Sequence, residues 1–198
     1  LGDVYKRQER FYVHRSQIDA ITTRLSERLG QLKIGSPLDE GSEFGPVTNK
    51  QHQAKLGQLF AKAREEGSRI IHGGKLIDGP GCYVEPTVIL ANSAKDSLMT
   101  EETFGPVATF LAYDDEEELV ALMNDSPYGL SASLWTNDLG KAMRLIPQVK
   151  AGTLWVNMHT LLDPAVPFGG IKASGVGREF GDAFIEDYTE LKSVMIRY

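Results

Sequence analysis

Residues 100–107 read Thr100-Glu101-Glu102-Thr103-Phe104-Gly105-Pro106-Val107, and the apolar run from Val107 to Ala112 follows at once. Gly-Pro stops a helix and turns the chain, and the β-branched and aromatic residues after it predict a buried strand. Glu102 and Phe104 are two positions apart, so extended backbone would aim both side chains to one side. An ionised carboxylate accepts from two hydroxyls at once, and an apolar ring packs on a flat heterocycle. The pair therefore suits a sugar diol joined to an aromatic base. The plainer reading is a solvated glutamate and a core phenylalanine at a strand entrance.

Upstream of this turn, Arg10 to His14 predicts a strand, and Ser16 is placed to cap a helix with Ile18, Ile21, Leu25, Leu29 and Leu32 at helical spacing. A Gly-, Pro- and Asp-rich loop, Lys33 to Thr48, leads to a second helix from Asn49 to Glu66. Its inner face is Leu56, Leu59, Phe60 and Ala63, and Gly67 is its stop. Strands are expected near Arg69 to Ile71 and Thr87 to Leu90. Residues 1–8 show no periodicity and no motif, and we read them as a non-native leader.

Downstream, the run Asp114 to Glu118 resembles a metal-binding cluster, but fits better as the first turn of a helix, where acidic groups complement the macrodipole. Leu119, Leu122 and Met123 supply that helix's buried stripe. Strands at Leu130 to Thr136 and Gly152 to Val156 flank a helix capped by Asn137-Asp138. Alternating strands and helices predict an α/β fold with a mostly parallel sheet. Asn157 to Pro167 is an irregular apolar loop after a strand, the place where α/β folds seat ligands. Phe168-Gly169-Gly170 and Ser174 to Glu179 make close turns toward a short helix. Gly175-Val176-Gly177 lacks the third glycine of a dinucleotide fingerprint. Tyr188 to Tyr198 alternates like a strand that would be an open edge unless paired.

The net charge of −6 argues against a nucleic-acid partner. No apolar run approaches the roughly 18 residues a membrane span needs, and no signal segment is seen, so a soluble, cytoplasmic protein is expected. The one cysteine, Cys82, leaves no intrachain disulfide and no cysteine-based metal cluster.

Glu102-x-Phe104-Gly105-Pro106 resembles the coenzyme-binding motif of the NAD(P)-dependent aldehyde dehydrogenase superfamily. The chain is similar to that family's C-terminal part at Gly45-Pro46-Val47, Gly73-Gly74, Tyr83 to Val88, Asn124 to Leu130, Ala151-Gly152-Thr153, Val156-Asn157, Pro167 to Gly170, Ser174 to Glu179 and Tyr188 to Glu190 with Lys192. The resemblance implies a partial catalytic domain over 9–181, followed by a helix and oligomerisation strand over 182–198. It implies cofactor contacts at Glu102 (nicotinamide ribose), Phe104 (nicotinamide end) and Leu130, with NAD as coenzyme and NADP left open. Thr160, Leu161, Leu162 and Phe168 would line the aldehyde entrance. Glu179 would join a proton relay and Glu190 a subunit contact, in a homo-oligomer that acts on a small-molecule aldehyde.

One departure matters. The family's nucleophilic cysteine should stand five residues before Arg10, where this chain has Tyr5. A phenol, with a pKa near 10 against about 8.5 for a thiol, cannot form the thioester. The general-base glutamate, the oxyanion-hole asparagine and the coenzyme domain belong further upstream. Cys82, in the turn Gly81-Cys82-Tyr83, is read as structural. The chain is thus expected to be a fragment, inactive by itself, of an enzyme that oxidises an aldehyde to the acid through a cysteine thioester. The alternative is a truncated assembly partner of a full-length enzyme; acyl-phosphate reductases share a similar Glu-x-Phe-Gly-Pro element but not the similarity over Asn157 to Glu190. His159 to Ala165 and Tyr188 to Tyr198 look most like phenylacetaldehyde-type members, and the leucine-bearing loop suits an aromatic or apolar aldehyde. A betaine-type pocket would want aromatic faces or carboxylates for a cation, and this loop offers Asp163. His159 is read as a surface hydrogen-bonding group.

Overall fold

The computed structural model describes residues 9–182 and 184–198. One compact unit runs to Leu122 and a second comprises Met123–Tyr198. The first unit is built on β1 (Arg10–His14), α1 (Ile18–Leu29), α2 (Lys50–Glu65), β2 (Arg69–His72), β3 (Leu76–Ile77), β4 (Tyr83–Val84), β5 (Thr87–Leu90), α3 (Ser97–Thr100) and β6 (Val107–Tyr113). Its last element, α4 (Glu116–Asn124), crosses the division between the units.

Four strands form one sheet in the order β1-β6-β5-β2. β6 pairs in parallel with β1 and with β5, while β2 closes the edge antiparallel to β5. The predicted mostly parallel α/β arrangement is therefore present. β6 lies between two strands, so its residues are apolar on both faces, with Val107, Phe110 and Leu111 buried. On one side Leu56, Leu59, Phe60 and Ala63 of α2 pack with Val84, Ile89, Leu98 and Val107. On the other, Ile18, Leu25 and Leu29 of α1 pack with Phe11, Val88 and Phe110, the two phenylalanine rings stacked at 4.8 Å.

Helix α2 shows why its predicted limits hold. The Asn49 side chain accepts from the His52 N–H at 2.8 Å, an N-cap. At the other end Gly67 takes φ +83°, and Ser68 N–H reaches Ala63 O at 2.9 Å while Gly67 N–H reaches Arg64 O at 3.2 Å, the paired bonds of a Schellman ending. The acidic run opens α4 as expected: Asp115 Oδ1 accepts from Glu118 N–H and the Glu118 carboxylate from Asp114 N–H.

Three expectations need correction. Ser16 does not cap α1; the N-cap is Gln17, without a side-chain cap bond, and the Ser16 hydroxyl pairs with His14 Nδ1 at 2.8 Å. A nearby imidazole competes for the hydroxyl. Ile21 is exposed and Leu32 lies beyond the helix end. The third correction lies in the second unit, which contains β7 (Tyr128–Gly129), β8 (Ser131–Leu134), α5 (Leu139–Leu145), β9 (Thr153–Val156), β10 (Ile171–Lys172) and α6 (Phe184–Tyr188). Tyr188 ends α6, and residues 189–198 carry no strand and are exposed. A strand exists through its ladder, and no ladder partner is present for this segment among the described residues.

In the second unit β8 and β9 are parallel and β10 and β7 antiparallel. Asp138 accepts from Lys141 N–H at 2.9 Å and caps α5. Tight turns join the glycine-rich segments. A Cβ on Gly152 would collide with the Gly169 carbonyl oxygen, so the Ala151-Gly152-Thr153 and Pro167 to Gly170 segments approach at backbone distance.

Candidate active site

In the first unit the turn before β6 is gripped from two directions. The Glu9 carboxylate accepts from Thr103 N–H at 2.9 Å and from Phe104 N–H at 2.7 Å, one oxygen for each. From α2, His52 Nε2 lies 2.8 Å from Thr103 O, and Lys55 Nζ donates to Glu102 O at 3.1 Å. Thr103 is buried beneath the turn and its hydroxyl accepts from Gly105 N–H at 3.4 Å. Gly105 packs closely on α2: a Cβ there would come within 2.7 Å of Leu56 Cδ1, the tip of a side chain.

Phe104 adopts φ +49°, in the left-handed region, and stands 49% exposed. The extended backbone assumed for placing Glu102 and Phe104 on one side is therefore absent, and that geometric argument fails. The left-handed residue is instead what turns the ring outward rather than into the core, so the plainer reading of Phe104 as a core residue fails too. Glu102 is half-buried, and its carboxylate makes no hydrogen bond or ion pair among the described residues. A half-buried carboxylate and an exposed aromatic residue thus stand within three residues.

The second unit holds the other candidate residues. Leu130 is half-buried between β7 and β8, and its carbonyl accepts from Thr153 N–H at 3.1 Å. Its turn is fixed by neighbours: Ser174 Oγ accepts from Gly129 N–H at 3.0 Å, and Lys172 Nζ donates to Asn124 O and Ser126 O at 3.0 and 2.9 Å. The Asn124 side chain bridges Gln148 O and Lys150 N–H at 2.8 and 2.7 Å.

The loop after β9 begins with two left-handed residues, Asn157 at φ +54° and Thr160 at φ +61°. The Asn157 side chain clamps both the N–H and the C=O of Thr136. The indole N–H of buried Trp155 donates to Leu161 O at 2.9 Å. Leu161 is exposed, whereas Thr160 and Leu162 are half-buried. Phe168 is buried at 6% and tilted against the Trp155 ring at 6.4 Å. Phe168 and Glu179, picked separately in the sequence, are joined by a two-way backbone bridge at 2.7 Å. The Glu179 carboxylate accepts from the Tyr188 hydroxyl at 3.3 Å, and its charge raises the phenol above its ordinary range.

His159 departs from the surface reading. It is half-buried, sits edge-on to Trp155 at 5.1 Å, and its Nδ1 lies 2.6 Å from Ser133 Oγ. Burial lowers its pKa below the usual histidine value and favours the neutral ring. Cys82 is half-buried and its carbonyl accepts from Val47 N–H at 2.8 Å, an anchoring role for its backbone. The position expected for the nucleophile, Tyr5, lies outside the described residues. Glu9 and Asn124 were missed because each acts through backbone partners far away in sequence, and Trp155 because its indole N–H serves the irregular loop six residues on.

The aldehyde dehydrogenase family profile matches residues 2–194. The chain belongs to the aldehyde dehydrogenase family. Among curated relatives, betaine aldehyde dehydrogenase of Cereibacter sphaeroides is 40% identical over 195 residues, covering 98% of this chain and 40% of that protein. Phenylacetaldehyde dehydrogenase of Pseudomonas fluorescens is 40% identical over 201 residues, covering 100% of this chain and 40% of that protein. The solved NAD+ complex of an aldehyde dehydrogenase from Bacillus cereus superposes with a TM-score of 0.89 at 34% identity, covering 94% of this chain and 38% of that one. Betaine aldehyde dehydrogenase from Staphylococcus aureus with NAD+ gives 0.86 at 36%, covering 91% and 37%. This aldehyde dehydrogenase chain thus spans about 40% of the length of the curated relatives it matches. No described helix is long and apolar enough to cross a membrane.

Proposed function

We propose that the chain is the C-terminal part of an NAD-dependent enzyme that oxidises an aromatic or otherwise apolar aldehyde, phenylacetaldehyde-like, to its carboxylic acid. The observation that carries this reading is the turn at Glu102–Phe104, where a carboxylate with no hydrogen bond or ion pair among the described residues stands next to an exposed ring on a fixed backbone. Those groups fit a nicotinamide riboside, and related enzymes have been solved with NAD+. Bound NAD+ supplies the hydride acceptor. Glu102 accepts from the ribose hydroxyls and fixes the sugar. Phe104 covers the nicotinamide end and keeps water from it. Leu130 offers an apolar surface near the reacting carbon.

On the substrate side, Thr160, Leu161, Leu162 and Phe168 make an apolar approach. Asp163, the loop's one carboxylate, accepts from Ala165 N–H at 2.9 Å and so is committed to its own turn. This favours an uncharged aldehyde over a quaternary ammonium one, a choice that equal identities to the two kinds of relative leave open. Glu179, hydrogen-bonded to Tyr188, holds or passes a proton. The family's cysteine nucleophile falls at Tyr5, so the chain as given turns over no aldehyde; the cysteine comes from sequence that precedes Glu9 in the working enzyme. A cytoplasmic homo-oligomer is the matching assembly, with the exposed apolar residues Leu191, Val194, Met195 and Ile196 joining a neighbour's sheet.

The test is a hybrid in which residues from Glu9 onward follow the upstream part of the Cereibacter sphaeroides relative. NAD+ reduction should appear in the hybrid, with higher kcat/KM for phenylacetaldehyde than for betaine aldehyde, and should be absent from the chain as given. A folded hybrid that is inert toward both aldehydes would overturn the reading of the turn. A preference for betaine aldehyde would overturn the substrate class alone.

A further inference from the structure

We propose that Glu9 is the positioning residue of the Glu102–Phe104 turn, a carboxylate latch that ties the start of β1 to the coenzyme-side loop. Its two oxygens are divided between two successive amides, Thr103 N–H and Phe104 N–H, at 2.9 and 2.7 Å. Its own backbone is fixed as well: Glu9 O accepts from Thr109 N–H at 3.0 Å, continuing the β1–β6 ladder by one residue. The carboxylate is therefore delivered to the turn by the register of the sheet.

The latch has a clear physical task. A bulky residue at φ +49° is strained, because its Cβ crowds the backbone there. Hydrogen bonds to a charged acceptor are stronger than neutral ones, and two of them hold that conformation. Helix α2 secures the carbonyls of Glu102 and Thr103 through Lys55 and His52, but a carbonyl contact does not satisfy the two N–H groups. With its amides held by Glu9, Phe104 keeps its ring outward, and Glu102 keeps its place next to it. β1 begins at Arg10, so the latch also links the chain that leads into β1 to the turn. The coenzyme reading says only what the latch serves; the latch itself is tested without ligand.

The experiment follows the Thr103 and Phe104 amides of the 15N-labelled 198-residue chain by NMR. In Glu9→Gln, which keeps one acceptor oxygen and replaces the other with an amide NH2 donor, both amides should exchange roughly tenfold faster or more, the loss expected for one charge-assisted bond. Their proton resonances should move upfield, while the Leu111 amide within β6 stays within about twofold, the scatter of an unperturbed site. Lys55→Ala should leave both amides protected. In a Phe104→Gly background the effect of Glu9→Gln should shrink, because glycine adopts the left-handed conformation without strain. If Glu9→Gln does not fold, the unsubstituted chain with 13C and 15N labels decides: both amide nitrogens should show a through-hydrogen-bond coupling to the Glu9 carboxyl carbon. Amides that ignore the Glu9 carboxyl, or that keep their protection in Glu9→Gln, would overturn the latch.

Discussion

The turn at Glu102–Val107 and the loop at Asn157–Pro167 solve one problem with different chemistry. Each presents an apolar side chain outward beside a left-handed non-glycine residue, Phe104 in the first and Thr160 in the second. The turn is held by a carboxylate placed by a four-stranded sheet, and by α2 on its other side. The loop hangs from a short two-stranded sheet by neutral groups: the Trp155 indole, the Ser133–His159 pair and the Asn157 side chain. Charge and sheet register fix the part read as coenzyme-facing, which must be the same for every substrate. Replaceable aromatic and polar contacts fix the part read as aldehyde-facing.

The sharpest way to break this contrast is by crowding each region. Gly152→Ala drives a methyl into the Gly169 carbonyl, a backbone atom that cannot step aside; a loss of about 3 kcal/mol is expected, read from the denaturant midpoint. Gly105→Ala meets the tip of the Leu56 side chain, which can rotate, and should cost nearer 1 kcal/mol. Equal losses would erase the distinction between the two settings.

Next in size is Trp155→Phe, which keeps a ring but removes the donor to Leu161 O. About 1 kcal/mol should be lost, and amide exchange should quicken across residues 160–162 while Thr103 and Phe104 are untouched.

Titration separates the two units by pH window. His159 has its pKa lowered by burial, so below about 6.5 the unfolded chain takes up a proton that the folded unit refuses. The stability of the second unit should therefore fall as pH drops from 6.5 toward the folded value, and His159→Gln should flatten that slope in acid unfolding curves. In the first unit the exposed Arg15–Asp114 pair holds the Asp114 carboxyl below its usual value, chiefly through the guanidinium hydrogen bonds. That contribution is complete above 3.8 and is lost only as pH falls through the lower folded value. Being fully solvated, the pair is the smallest effect of all: Arg15→Ala should leave the denaturation midpoint unchanged at neutral pH.

Much of the fold was legible because local chemistry and tertiary packing agree. The strands at Arg10–His14 and Thr87–Leu90 have the limits that their apolar runs predict, and Asn49 and Gly67 bound α2 as their cap chemistry requires. Where reading failed, a partner side chain had the deciding role. Phe104 leaves the extended region while Glu9, 95 positions earlier, holds its amide. Ser16 looked like a cap until the His14 ring took its hydroxyl. His159 looked like a loop histidine, and its burial depends on Trp155 and Ser133. Residues 189–198 alternate as a strand does, but a strand is a pairing and the ladder partner is not encoded within them.

The central claim is that the Glu102–Phe104 turn is a coenzyme-binding element. The most direct measurement is kcat and the KM for NAD+ in the hybrid enzyme carrying Glu102→Gln. Loss of the charged acceptor should lower kcat by roughly tenfold to a hundredfold, since the ribose would no longer be fixed for transfer. A hybrid whose kcat and KM for NAD+ both stay within about twofold of the unsubstituted enzyme, a change of under 0.5 kcal/mol, would contradict it.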